Sequence, residues 1–216
     1  MKKYLLFLLF ICTSVFAQKI DINNLNWLPN SHSFWVSKDN NVSVYDVDKL
    51  DKQNTILSKE QLAEAGFKGE IEDLVWNDLK TKVLVYANSK KVWRDNTRGD
   101  YWYFDLASGK GKQLGKNLDA SSLMFAKFSS DNENVAYVSK HNIYVENLNS
   151  GKITPVTTDG TDKIINGTFD WVYEEELAAR DGFRWSPDGK SIAFWRVDAT
   201  STKFHYMINN TDSLYP

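Results

Sequence analysis

Short apolar runs recur along the chain, and each follows an aromatic residue and a polar turn. The runs are rich in Val, Ile and aromatic side chains, which favour β-strands. Each unit therefore consists of an aromatic residue, a turn and a strand. The four units are Trp27-Leu28-Pro29-Asn30 leading to Phe34-Trp35-Val36, Trp76-Asn77-Asp78 leading to Val83-Leu84-Val85-Tyr86, Phe128-Ser129-Ser130-Asp131 leading to Val135-Ala136-Tyr137-Val138, and Trp185-Ser186-Pro187-Asp188-Gly189 leading to Ile192-Ala193-Phe194-Trp195.

A second strand follows in each of the first three units, which predicts antiparallel pairing within the unit. Two of these strands run into a Ser-Gly pair, where glycine supplies the positive φ that a hairpin turn requires. The second strands are Val44-Tyr45-Asp46-Val47, Tyr103-Phe104-Asp105-Leu106 before Ser108-Gly109, and Tyr144-Val145-Glu146-Asn147-Leu148 before Ser150-Gly151.

Antiparallel units that repeat at about fifty residues are typical of β-propellers. We therefore predict an all-β fold made of four-stranded antiparallel blades, with about four blades in this chain. A β-sandwich built from similar hairpins is the alternative, because alternation of side chains alone does not separate the two folds. The last unit reaches only Ser213-Leu214-Tyr215-Pro216, so we expect an incomplete ring whose end blades have uncovered apolar faces.

The first residues have the pattern of a secretory signal peptide. We predict cleavage near Ala17, which makes residues 1–17 the signal peptide and residues 18–216 a partial propeller domain. A retained membrane anchor and lipid attachment at Cys12 are the alternatives. The pattern combines a positive start, an apolar stretch and small residues: Met1-Lys2-Lys3, Tyr4 to Ile11, and Ser14-Val15-Phe16-Ala17.

Composition and charge narrow the class of protein further. Cys12 is the only cysteine, so the mature chain has neither a disulfide nor a thiol nucleophile. Together with the predicted signal peptide, this favours a periplasmic or secreted protein. Lys and Arg number 26 and Asp and Glu 28, for a formal net charge of −2. Without a basic excess, nucleic acid is not an expected partner.

One segment departs from the strand pattern and concentrates negative charge. Asp170 is a suitable N-cap for a short acidic helix near residues 170–180, and Glu174-Glu175-Glu176 follows it. Consecutive helical residues point about 100° apart, so the three carboxylates cannot share one helix face and some of them must find different partners. One interpretation is a solvated turn in which Glu176 pairs with Arg180. The other is an acidic pair that binds a cationic group such as a free amino terminus.

These motifs resemble the propeller domain of the dipeptidyl peptidase IV group, in the prolyl oligopeptidase family of serine peptidases. The resemblance extends from about residue 25 over most of the remaining chain. It rests on Asp170-Trp171-Val172-Tyr173-Glu174-Glu175-Glu176, Trp185-Ser186-Pro187-Asp188-Gly189, Ile192-Ala193-Phe194, Val92-Trp93-Arg94, Asn142-Ile143-Tyr144-Val145 and Ser213-Leu214-Tyr215-Pro216.

The resemblance implies a substrate-binding role for three residues. Glu175 and Glu176 are expected to bind the protonated amino terminus of a peptide substrate. Arg94 is expected to hold a substrate carbonyl or carboxylate and to pair with the same acidic site. The implied activity is release of Xaa-Pro or Xaa-Ala dipeptides from unblocked peptides, with the propeller also gating access.

The resemblance places the catalytic residues outside this chain. No Gly-x-Ser-x-Gly motif occurs here, and that motif holds the nucleophile of α/β-hydrolase domains. In the family, such a domain follows the propeller, and full-length members are commonly homodimers. We interpret His32, His141 and His205 as surface or packing residues, and we expect no cofactor and no metal site. The alternative function is a non-catalytic periplasmic propeller that binds a peptide or protein partner.

Overall fold

Antiparallel sheets in sequence order make up most of the structure. The computed structural model describes residues 25–29 and 31–203. Three sheets have four strands each, and the remaining strands form two two-stranded ladders. The strands of the three sheets are β1 (Asn26–Trp27), β2 (Ser33–Lys38), β3 (Asn41–Asp46) and β4 (Gln53–Leu57); β5 (Asp73–Trp76), β6 (Lys82–Val92), β7 (Asp95–Asp105) and β8 (Gly111–Gln113); and β9 (Met124–Phe128), β10 (Asn134–Ser139), β11 (Asn142–Asn147) and β12 (Ile153–Pro155).

We call these sheets the first, second and third blades, and the strands that follow them form the fourth. In each of the three complete blades, neighbouring strands along the chain are neighbours in the sheet. This confirms the predicted all-β fold of four-stranded antiparallel blades. The fourth blade contains β13 (Ile164–Asn166), β14 (Phe183–Trp185), β15 (Ile192–Phe194) and β16 (Arg196–Asp198).

The core lies between blades and shows why they stack. On β6, Val83 and Val85 pack toward the first blade, whereas Leu84 and Tyr86 pack toward the third. On β10, Val138 packs against Phe183 of the fourth blade. Both faces of the second and third sheets are therefore buried, as in a propeller, whereas a sandwich has one core between two sheets. The sandwich alternative is wrong.

The repeated turns have repeated geometry. Gly109 and Gly151 have φ values of 68° and 70°, as the Ser-Gly hairpins predicted. The aromatic-Ser-x-Asp turns are also alike, because the Ser hydroxyl donates to the Asp carboxylate in both. The distances are 2.5 Å from Ser129 to Asp131 and 2.6 Å from Ser186 to Asp188.

The fourth blade differs from the predicted four-stranded sheet, because an inserted segment interrupts one strand position. Gly182 N donates a hydrogen bond to Gly167 O at 3.0 Å, and the backbone of Trp195 is hydrogen-bonded to both glycines. β13 and β14 therefore occupy one strand position, which lies opposite β15 and β16. A Cβ on Gly182 would lie 3.1 Å from the Gly167 carbonyl, which explains why glycine occupies this junction. We call residues 168–181 the excursion.

The sequence predicted one short helix, but the described residues contain two α-helices. α2 (Trp171–Leu177) lies in the excursion, and α1 (Lys59–Glu64) lies between the first and second blades. Ser58 and Gln61 form a capping box at the start of α1, a motif that was present in the sequence. A short 3₁₀ helix also spans Val47–Lys49.

Several sequence predictions fall outside the described residues. These are the signal peptide of residues 1–17 with cleavage near Ala17, the role of Cys12, the interpretation of His205 and the motif at Ser213–Pro216. Across residues 25–29 and 31–203, no helix is both long and apolar enough to cross a membrane.

Candidate functional site

A long hairpin of the second blade carries Arg94 away from its sheet. Regular pairing of β6 with β7 stops at Ala87, and after register shifts Val92 pairs with Asp95, which leaves Trp93 and Arg94 as the loop. Trp93 has a φ of 52°, a left-handed conformation that is unusual for a bulky residue and often marks a functional site. The Arg94 side chain is 76% exposed.

The excursion holds α2 by local capping at both ends. The Asp170 carboxylate accepts a hydrogen bond from Tyr173 N at 3.2 Å, which confirms the predicted N-cap. After Leu177 the chain turns at Ala178, whose φ of 52° ends the helix in the left-handed conformation. The acidic helix is therefore where the sequence placed it, although it is only seven residues long.

A half-buried lysine fixes the returning end of the excursion. Lys127 of β9 donates to Asp181 at 2.5 Å and to the Phe183 carbonyl at 3.1 Å. Its ammonium also lies 3.7 Å from the centre of the Phe183 ring. Burial lowers the pKa of Lys127 to about 8, although the carboxylate of Asp181 favours the charged form.

The three glutamates of α2 have three different surroundings, as their helical spacing predicted. Glu175 Oε2 lies 2.5 Å from Arg94 Nε, and the Glu175 side chain is only 7% exposed. Glu174 is buried and faces Arg180. Glu176 is exposed and forms no ion pair among the residues that the structure describes. Arg94 and Glu175 are thus brought together, and Glu176 lies beside them on the same helix.

Arg180 pairs differently from the interpretation that linked it to Glu176. Its Nη2 lies 2.6 Å from Asp95 Oδ2, and its Nε lies 3.5 Å from Glu174 Oε1. The i,i+4 pairing with Glu176 fails because the helix ends before Arg180, at the left-handed residue Ala178. Arg180 therefore joins α2 to the β6–β7 hairpin.

Burial disfavours the charged form of the Glu174 carboxyl. Desolvation raises the pKa of its carboxyl above the usual range, and Asp95 acts in the same direction, whereas Arg180 opposes the shift. Glu174 Oε1 and Arg180 Nε approach within 3.5 Å, but neither atom has a hydrogen-bond partner. Their contact is an ion pair without good hydrogen-bond geometry.

A cavity of about 640 Å³ lies on the Glu174 side of α2. Its wall combines aromatic rings with charged groups from the hairpin, the excursion, and the second, third and fourth blades. Glu175 and Glu176 are not part of this wall. Its lining includes Trp93, Phe125, His141, Phe169, Glu174 and Arg180.

The two described histidines lie in unlike surroundings. His32 is exposed, and His141 is half-buried in the turn between β10 and β11, where burial lowers its pKa. His141 lines the cavity, a placement that its sequence context did not reveal. Among residues 25–29 and 31–203, no group of three or more His, Cys, Asp or Glu side chains is arranged to hold a metal ion.

Comparison with known families identifies the family of this chain. Residues 77–216 match the family described as dipeptidyl peptidase IV (DPP IV) N-terminal region. The chain belongs to the dipeptidyl peptidase IV family. The matched residues include both the β6–β7 hairpin and the excursion, so Arg94, Glu175 and Glu176 all fall inside the family region.

Individual relatives agree with the family assignment. The chain is 34% identical over 152 residues to a probable dipeptidyl-aminopeptidase B of Aspergillus terreus, and 36% identical over 118 residues to one of Phaeosphaeria nodorum. These matches cover 69% and 54% of this chain, but only 16% and 13% of the relatives. The chain therefore spans less than a fifth of the length of these relatives, and its family match is to the N-terminal region.

Solved structures support the same fold. Dipeptidyl peptidase 4 of Porphyromonas gingivalis aligns with a TM-score of 0.77 and 26% identity, over 89% of this chain and 28% of that one. A putative dipeptidyl aminopeptidase IV of Bacteroides ovatus aligns with a TM-score of 0.55 and 18% identity, over 88% and 25% of the two chains. The described part of this chain is thus a partial β-propeller.

Sequence reasoning missed the residues that support the site. The sequence interpretation paired Arg180 with Glu176 instead of Asp95, and no motif singled out Asp95. Lys127 and Asp181 gave no signal, because their contact joins residues that are far apart in the chain.

Proposed function

We propose that Glu175 and Glu176, the acidic pair, bind the protonated amino terminus of a peptide substrate, and that Arg94 holds a substrate carbonyl or carboxylate. The contact between Arg94 and Glu175 carries this proposal, because it joins the hairpin of one blade to the excursion of another. It brings together two of the three residues that the family resemblance singled out, and the third, Glu176, follows Glu175 on α2.

The chemistry of the acidic pair suits an ammonium ion. Glu175 is largely buried, so its carboxylate has lost most of its water and gains from a charged donor. Glu176 is exposed and free to accept a second hydrogen bond from the same ammonium group. Arg94 is exposed enough to contact a substrate while it partly neutralises Glu175.

Anchoring the amino terminus would also explain how a dipeptidyl peptidase measures its product. A fixed amine and a fixed nucleophile leave room for two residues between them, and such positioning lowers the barrier to reaction. We propose that the full-length protein is an exported serine-type enzyme that releases Xaa-Pro or Xaa-Ala dipeptides. In this proposal the propeller gates access, and a hydrolase domain beyond these residues supplies the serine nucleophile and its histidine base. The enzyme is proposed to be periplasmic or secreted and to form homodimers.

Charge-neutral variants of the acidic pair test the proposal. In the full-length protein, Glu175→Gln and Glu176→Gln should each lower kcat/KM for an Xaa-Pro substrate with a free amino terminus by about 10- to 100-fold, since each removes a charge-assisted hydrogen bond. Steady-state hydrolysis of a chromogenic dipeptide measures the effect.

Glu64→Gln is the matched control, because Glu64 is an exposed helical glutamate on α1. This control should leave kcat/KM unchanged. Unchanged kinetics in both Glu175→Gln and Glu176→Gln would contradict the proposed amine site. A full-length protein without peptidase activity would instead favour the non-catalytic propeller that binds a peptide or protein partner.

A further inference from the structure

Two ion pairs connect the β6–β7 hairpin to the excursion, and they run in opposite directions. Arg94 of the hairpin contacts Glu175 of α2, whereas Arg180 of the excursion contacts Asp95 of the hairpin. Arg180 also lies 3.5 Å from Glu174, so it touches both elements at once. The hairpin residues are adjacent in the chain, as are the two glutamates.

The second connection is better protected from solvent than the first on its arginine side. The side chain of Arg180 is 31% exposed, compared with 76% for Arg94. Water screens the ion pairs of exposed arginines, and fixing such a long side chain in one conformation costs entropy. Arg94 alone is therefore a poor tether for a two-residue loop that projects from its blade.

The backbone around Arg180 helps to fix its direction. Ala178 ends α2 in the left-handed conformation, and the Arg180 guanidinium donates back to the Ala178 carbonyl at 3.4 Å. The next residue, Asp181, forms an ion pair with Lys127. Arg180 thus projects from a fixed corner of the excursion toward the hairpin.

We propose that Arg180 is a positioning residue for substrate recognition. By holding Asp95, it places the neighbouring Arg94 against Glu175 and so sets the space that the substrate amino terminus occupies. This role rests on the proposed function of the acidic pair. Arg180 itself contacts neither the substrate nor the reacting atoms in this account.

Kinetics of the full-length protein test the role. Arg180→Gln and Asp95→Asn should each raise KM for a free-amino Xaa-Pro substrate about tenfold and change kcat by less than about threefold, because a displaced hairpin weakens binding equally before and during reaction. The double variant should raise KM no more than either single variant, since both remove the same contact. Arg180→Lys should recover part of the affinity.

Arg98→Gln is the matched control, because Arg98 is an exposed arginine on the same hairpin and has no ion pair among the described residues. It should leave KM unchanged. Asp95 is half exposed, so Asp95→Asn keeps the test valid if Arg180→Gln fails to fold. Additive KM effects in the double variant would overturn the proposal.

Hydrogen exchange distinguishes the positioning role of Arg180 from amine binding by the acidic pair. Arg180→Gln and Asp95→Asn should speed amide exchange in residues 91–96, whereas Glu176→Gln and Arg98→Gln should not. Unchanged exchange in residues 91–96 would overturn the positioning role even if the acidic pair binds substrate. Faster exchange with unchanged KM would overturn its link to recognition. Unchanged kinetics in Glu175→Gln and Glu176→Gln would remove the amine site and, with it, the substrate role of Arg180.

Discussion

Arg94 and Arg180 show how exposure divides roles between residues of the same type. Arg94 is mostly exposed, so its guanidinium is accessible to a ligand. Arg180 is more covered and faces carboxylates of two elements. The exposed arginine suits binding, and the covered one suits support.

Lys127 provides a residue-scale prediction about pH. Its folded-state pKa of about 8 lies below the ordinary 10.5, so the folded protein binds fewer protons than the unfolded chain between these values. Stability from this residue must therefore rise as pH increases from about 8 to about 10.5. The melting temperature of the wild type minus that of Lys127→Met should therefore be larger at about pH 10 than at about pH 7.

Lys140→Met is the control for this measurement, because Lys140 also pairs with an aspartate, Asp119 at 2.6 Å, but is 69% exposed. The pH dependence of Lys127→Met is therefore judged against that of Lys140→Met, which changes an exposed ammonium. The same pH dependence in both variants would contradict the predicted effect of burial on Lys127.

At the scale of elements, the excursion depends on the glycine junction from which it leaves the fourth blade. Gly167 has a φ of 77°, and a Cβ there would come within 2.8 Å of Ile143 and 2.9 Å of Val138 in the core of the third blade. A side chain at Gly167, the residue immediately before the excursion, would therefore cause both backbone strain and overpacking.

Gly167→Ala should lower the melting temperature and reduce turnover of a free-amino dipeptide substrate. Gly66→Ala is the matched control, because Gly66 has nearly the same φ of 76° but no atom within 4 Å of the added Cβ. Gly167→Ala should cost about 1 to 3 kcal/mol more than this control. Equal melting temperatures for the two variants would show that the junction tolerates a side chain.

The elements that could be predicted are those with a local signal. The aromatic-turn-strand pattern gave the blade strands, and Asp170 before three glutamates gave α2. The interruption of the fourth blade could not be predicted, because Gly167 and Gly182 meet only through tertiary pairing. α1 had a local signal in Ser58 and Gln61, and it could have been found.

At the scale of the whole molecule, the site depends on the stacking of blades. The hairpin belongs to the second blade and the excursion to the fourth, so the third blade separates their bases. Continuous apolar cores on both faces of the third blade fix that separation. The contact between Arg94 and Glu175 is thus a consequence of propeller geometry, which spacing in the sequence could not reveal.

The residues that support the site were less predictable than its members, although the resemblance also implied that Arg94 pairs with the acidic site. Family resemblance named Arg94, Glu175 and Glu176, and the structure places them on neighbouring elements. The ion pair of Arg180 with Asp95 depends on how far the hairpin extends. That extension arises from register shifts after Ala87, which have no clear mark in the sequence.

The central claim is that this region recognises a free amino terminus. The most direct test compares hydrolysis of one Xaa-Pro chromogenic substrate by the full-length protein with its amine free and with the same amine acetylated. Acetylation removes the positive charge, so kcat/KM should fall by at least about 100-fold, and Glu175→Gln combined with Glu176→Gln should abolish most of this preference. Equal hydrolysis of the free and acetylated substrates by the wild-type protein would contradict the account.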